Sequence, residues 1–139
     1  MRVVLDTNVL LSALLSTGGA PDMIYRAWRA ARFSLVTSDI QLDEVRRASR
    51  YPKLKAILQP HRVGAMINNM QRALVLDTLP PLPDDINVQD PHDAYLVTMV
   101  LAAGADYLVT GDRRAGLLRH GHVGRTRILT PKAFCEVAL

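Results

Sequence analysis

The chain has 139 residues, 49% apolar and 22% charged. That is the length of one domain with material for one core, and it excludes disorder and collagen-like repeats. Only 5% of residues are aromatic, too few for the rows of exposed rings with which RRM or OB modules stack single strands. The net charge is +4, and 14 of the 17 basic residues are Arg, the side chain suited to phosphate. An anionic partner and a merely soluble basic surface are both consistent with that balance. The lone Cys135 excludes an intrachain disulfide and a cysteine zinc cluster, and suits a reducing cytosol.

At the N-terminus, Arg2 precedes an apolar stretch with small residues at positions 17–20, superficially like a signal peptide. Asp6 and Asn8 interrupt it, so the segment reads as part of the fold. No apolar run reaches the roughly 18 residues of a membrane span, and the expected location is the cytoplasm. In chain order the pattern predicts a strand at 3–5, helices at 9–15 and 21–31, a strand at 33–36 and helices at 39–50 and 62–71. A weaker strand follows at 73–76. The stretch 77–89 holds Pro80, Pro81 and Pro83 and reads as a loop too short to separate domains. A helix at 91–103, strands at 107–109 and, more weakly, 127–129, and a helix at 131–138 complete the chain. Apolar strands alternating with helices define an α/β domain with a parallel sheet, one unit over residues 1–139. The near-repeat of Leu35–Val36–Thr37–Ser38–Asp39 in Leu108–Val109–Thr110–Gly111–Asp112 reads as two strands ending at helix caps, not as a duplication.

Ligands of open parallel sheets bind at the carboxyl ends of the strands, where Asp6 and Asp112 fall, although either alone is equally explained as a helix cap. Stepping 100° per residue along the helix after Ser38 puts Glu44 between Ile40 and Ala48, on the apolar face with Val45. A carboxylate there needs a partner, an arginine or a metal. Asp43 falls among Arg46, Arg47 and Arg50 as a solvated surface acid, and Ser38 with Gln41 matches a capping box. Asp90–Pro91–His92–Asp93 opens the most apolar helix. Asp90 resembles its N-cap, whereas Asp93 shares a stripe with Val97 and Val100 and is the stronger candidate.

If Asp6, Glu44, Asp93 and Asp112 face one crevice, their repulsion requires protonation or bound cations. Hard oxygen donors select Mg²⁺ or Mn²⁺. Two such ions about 3.5–4 Å apart hold a phosphodiester, activate water and stabilise the leaving oxygen. His120 and His122 read as exposed loop, and His92 as a phosphate or proton-transfer helper. Setting aside these four acids and Asp90 leaves eight acids against 17 basic groups, a surround of +9. Arg46, Arg47 and Arg50 follow Glu44, and Arg113 and Arg114 follow Asp112, with Arg119, Arg125 and Arg127 soon after. An acidic centre in a basic surround suits a nuclease.

Val4–Leu5–Asp6–Thr7–Asn8–Val9, Thr37–Ser38 leading to Glu44, Asp90–Pro91–His92–Asp93 and Leu108–Val109–Thr110–Gly111–Asp112 together resemble the PIN-domain ribonucleases, in particular the VapC-like toxins of bacterial toxin–antitoxin pairs. The resemblance runs nearly end to end, and it rests on the order and spacing of motifs that are individually short. It implies a Mg²⁺- or Mn²⁺-dependent endoribonuclease in which Asp6, Glu44, Asp93 and Asp112 bind metal. Asp90 is then an auxiliary acid, and Asn8 and Thr110 orient ligands or water; Arg46, Arg47, Arg50, Arg113 and Arg114, from the charge pattern above, are the residues expected to hold RNA. It further implies a three-layer α/β/α domain around a parallel sheet of about five strands, a homodimer, and a cognate antitoxin whose segment enters a groove near the site. Ile24, Ala27, Trp28 and Ala31 could line such a groove or form a core-facing stripe. Two other readings compete. One is a catalytically idle binding module of the same fold. The other, a haloacid-dehalogenase-like phosphatase, wants a second aspartate where Asn8 stands.

Overall fold

The structure is a computed structural model that describes residues 1–88, 90–111 and 116–139, with Pro91 and His92 described by backbone alone. Strand β1 (Arg2–Leu5) leads into α1 (Thr7–Leu15) and α2 (Ala20–Arg29), then β2 (Ser34–Ser38) and α3 (Asp39–Ala48). A short turn of helix, α4 (Pro52–Lys55), precedes α5 (Pro60–Gln71) and β3 (Leu74–Leu76). After the proline-rich loop come α6 (Pro91–Ala103), β4 (Tyr107–Val109), α7 (Leu117–His120), the hairpin β5 (His122–Val123) and β6 (Thr126–Leu129), and α8 (Pro131–Ala138).

The six described strands form one sheet in the order β3-β2-β1-β4-β6-β5, parallel except for β5 against β6. Successive side chains of a strand point to opposite faces, and β1 shows the consequence. Val3 and Leu5 join the core cluster that includes residues of α1, α2, α3, α5 and α8, while Val4 joins the one built on α6 and Leu117. Two cores on two faces make the three-layer α/β/α architecture. Phe134 of α8 anchors one of them, edge-on to Phe33 and Tyr107.

From β1 the chain builds outward to β3, then crosses through α6 to place β4 on the other side of β1. This reversal between β1 and β4 is the topological switch point, the crevice where open α/β sheets bind ligands. Register brings Leu5 opposite Val109, so Asp6 and Thr110 leave their strands side by side, and the Asp6 N–H donates to the Val109 carbonyl at 2.9 Å.

Four expectations change. The sheet gains β5, two residues turned by Gly124 at φ 55°, too short to leave an apolar pattern, and His122 lies on this edge strand rather than in a loop. The second helix ends at Arg29. Ala31 lies beyond it, exposed and at φ 60°, while Ile24, Ala27 and Trp28 are buried in the core. The groove reading of that stripe gives way to ordinary packing. Ile40 is 47% exposed, because α3 centres its buried face on Gln41, Leu42, Val45 and Ala48. Glu44 therefore sits on the flank of that face, half-buried, rather than within it.

Candidate functional site

Asp6 ends β1 as the N-cap of α1. One carboxylate oxygen accepts the Asn8 N–H at 3.4 Å, and the other accepts the Thr110 hydroxyl at 2.8 Å. The capping role and a place in the cleft thus coexist in one side chain. Thr110 is fully buried and its own N–H is held by the Leu129 carbonyl at 3.0 Å, so the carboxylate is oriented by a group that cannot swing away.

Glu44 is placed by a residue that the capping-box reading underestimates. The Ser38 hydroxyl does accept the Gln41 N–H, at 3.2 Å. The Gln41 side chain does not return to Ser38; its amide donates to the Leu5 carbonyl at 2.6 Å and accepts from the Thr37 hydroxyl at 2.8 Å. With 0% exposure, this amide pins α3 to the carboxyl ends of β1 and β2. Glu44, one helical turn later, is thereby turned toward the switch point.

Asp93 is 5% exposed in the first turn of α6, and its N–H bonds the Asp90 carbonyl at 2.9 Å. The same helix supplies Tyr95, which sequence reasoning passed over. Its hydroxyl lies 3.2 Å from that of Thr7. Burial pushes the phenol far above its ordinary value; the Thr7 hydrogen bond opposes this, while the nearby carboxylates of Glu44 and Asp6 add to it. The phenol is therefore neutral, and its contact with Thr7 joins α6 to α1.

Asp6, Thr7, Asn8, Glu44, Arg47, Ala48, Tyr51, Asp90 and Asp93 line one cleft of about 270 Å³. Four of the five candidate acids are gathered there, Glu44 and Asp93 among them. The fifth, Asp112, lies outside the described residues, as do Arg113 and Arg114, and so does the side chain of His92. The arginines of α3 are divided. Arg47 faces the acids, whereas Arg46 and Arg50 line a separate hollow of about 330 Å³ with Lys55 and Ile67. Arg46 is also paired with Asp43 at 3.2 Å. Arg125, near the acids in sequence, sits at the far end of β4 on Asp106 at 2.6 Å.

The donor set in the cleft is hard carboxylate oxygen, the chemistry that suits Mg²⁺ or Mn²⁺. Among the described residues no three His, Cys, Asp or Glu side chains are so arranged as to hold a metal ion as they stand. What the structure supplies is a cleft shared by Asp6, Glu44, Asp90 and Asp93. No described helix is long and apolar enough to cross a membrane.

Buried carboxylates at the switch point of a three-layer α/β/α fold define the class of protein. The chain belongs to the PIN domain family, whose profile matches residues 2–114. That match spans β1 through β4; β5, β6 and α8 extend the same sheet and core beyond it. PIN domains are generally divalent-metal-dependent nucleases acting on RNA. No curated protein matches the sequence.

Proposed function

We propose that this chain is a single PIN domain over residues 1–139 acting as a Mg²⁺- or Mn²⁺-dependent endoribonuclease, the toxin of a toxin–antitoxin pair. The observation that carries the nuclease reading is that Asp6, Glu44, Asp90 and Asp93 line one cleft at the carboxyl end of the sheet. Asp6, Glu44, Asp93 and Asp112 are the residues assigned to hold the cation, with Asp90 auxiliary. A divalent ion there contributes positive charge that draws in the phosphodiester and stabilises charge developing on its oxygens.

The chain's own groups do the rest. Thr110 holds Asp6 in orientation, Gln41 fixes the helix that carries Glu44, and Tyr95 ties α6 to α1 beside them, so that little reorganisation is needed when substrate arrives. Asn8, exposed at the cleft, orients the attacking water in line with the bond that breaks. Arg47 takes a phosphate oxygen beside the scissile linkage, and Arg46, Arg50, Arg113 and Arg114 contact RNA further out. A cytoplasmic homodimer, silenced by a small antitoxin, completes the reading by resemblance.

Purified protein should cut RNA with Mn²⁺ and stop with EDTA, and Asp6→Asn or Asp93→Asn should abolish cutting without unfolding the chain. Cleavage by Asp93→Asn at the wild-type rate would remove that residue from the mechanism. The toxin role predicts growth arrest on induction, relieved by the product of an adjacent small gene.

A further inference from the structure

Of the seven aromatic side chains, all described, six are buried or half-buried and one is exposed. That one, Tyr51, is 59% exposed and lines the acidic cleft. Glu44, Arg47 and Ala48 stand at i, i+3 and i+4 on one flank of α3, Tyr51 follows three residues beyond the end of that helix, and all four line the cleft. Pro52 disfavours helical geometry in the residue before it, and Tyr51 is extended, at φ −58°, ψ 136°, as the N-cap of α4. Its backbone remains held: its N–H donates to the Ala48 carbonyl at 3.2 Å, and its carbonyl accepts from Leu54 and Lys55 at 2.9 and 2.8 Å. The ring is thus presented to solvent from a fixed base on the cleft it shares with Glu44, with Arg47 between them in sequence.

With 59% of its surface in water beside a charged cleft, the Tyr51 ring is open to a ligand. Carboxylate, guanidinium and phenyl face in succession match the parts of a nucleotide strand: reacting phosphate, flanking phosphate, base. We infer that Tyr51 is a stacking platform for the base beside the cleaved linkage, which must leave its stack to reach the ring. The assignment rests on the ribonuclease reading and adds a base-contacting residue to it. One ring is enough because stacking is tolerant of base identity and Arg47 supplies the backbone contact.

The test measures binding and cutting separately. In an Asp93→Asn background, which should bind without cleaving, a fluorescent single-stranded oligoribonucleotide should bind roughly ten- to a hundredfold more weakly after Tyr51→Ala, and Tyr51→Trp should restore the affinity. An abasic ribose walked along the strand should find a position where removing the base and removing the ring are non-additive. A 2-aminopurine at that position should be quenched by the tyrosine and not by alanine. The same sequence in a perfect duplex should bind more weakly. Equal affinity of the Tyr51→Ala protein for the single strand, or duplex binding as tight as single-strand binding, overturns the platform. Failure of the wild-type protein to cut any RNA with Mn²⁺ overturns the nuclease reading, whatever the binding arms show.

Discussion

The two ends of strand β4 treat acidic residues in opposite ways. At the amino end, Asp106 accepts the Arg2 N–H at 2.8 Å and the Arg125 guanidinium at 2.6 Å. The backbone bond from Arg2, followed by the contact with Arg125, holds its carboxyl below the usual range. At the carboxyl end, Thr110 braces Asp6, and Glu44, Asp90 and Asp93 share its cleft. Asp22 repeats the first arrangement, with the Gly18 N–H at 2.9 Å and Arg26 at 3.1 Å. A structural acid is given an N–H and a guanidinium, which neutralise as they orient. At the cleft the Thr110 hydroxyl and the Asn8 N–H orient Asp6, and four carboxylates are crowded into one space. Such crowding is the arrangement that favours a bound cation.

Exchanging charge for amide at the two ends gives the largest expected contrast. Asp93→Asn should lower RNA cleavage by roughly a thousandfold while leaving the unfolding temperature unchanged or raised, since one member of a like-charged group has been neutralised. Asp106→Asn should leave cleavage near wild type. Initial rates with Mn²⁺, set beside thermal unfolding of the metal-free proteins, check both; comparable losses of cleavage would show that the two ends are not functionally distinct.

Also at the carboxyl end lies Gln41, whose side chain ties Leu5, Thr37 and α3 together. Gln41→Leu strands the Leu5 carbonyl and the Thr37 hydroxyl in the interior, at about 1–3 kcal/mol, so denaturant unfolding should shift by that amount and cleavage should fall with it as Glu44 loses its aim. Full stability in the variant would mean that the amide is dispensable and that α3 is positioned by packing alone. A smaller change, Tyr95→Phe, removes a single hydroxyl. It should cost about 1 kcal/mol of stability and lower kcat by about tenfold with KM for RNA unchanged, the signature of a group that positions the machinery and does not grip substrate. An altered KM with kcat intact would place Tyr95 in the binding surface instead.

The parts of this architecture legible in sequence are those written in continuous apolar runs. Val3–Val4–Leu5 and Leu108–Val109 are buried on both faces, so their strands and the polar residues ending them could be placed without the structure. Asp6 and Asp93 followed, one from its strand end and one from its stripe. Edge elements escaped because two-residue β5 and the single turns α4 and α7 are too short to carry a period. Gln41 was hidden by a sufficient local explanation, as a capping box accounts for Ser38 and Gln41 without any long-range bond. Tyr51 was hidden by a break in chain geometry. Pro52 argues that the helix has ended before Tyr51, as it has, and only the structure shows that the residue beyond it lines the same cleft. The separation of Arg47 from Arg46 and Arg50 follows from 100° per residue once the cleft's side of α3 is known, which sequence alone does not supply.

The smallest effect concerns the amino end of the sheet alone. Asp106 titrates below the ordinary carboxylate value of 3.8 when folded and near it when unfolded, so the unfolded chain binds the proton more readily. Stability from this group is therefore fully present above that pH and is lost as pH falls through the lowered folded-state value. Both partners reach solvent, the Arg125 side chain being 70% exposed, so screening holds the contribution of the ion pair to a few tenths of a kcal/mol at neutral pH. Asp106→Asn should accordingly show a flatter loss of unfolding temperature with acid below pH 3.8, and the difference from wild type should shrink in high salt because the guanidinium contact is exposed. The part due to the Arg2 N–H should persist in salt, since that bond is short and its donor is fixed by the backbone. Parallel acid limbs for the two proteins would mean that Asp106 is hydrated in solution, and the contrast between the two ends of β4 would then rest on the cleft alone.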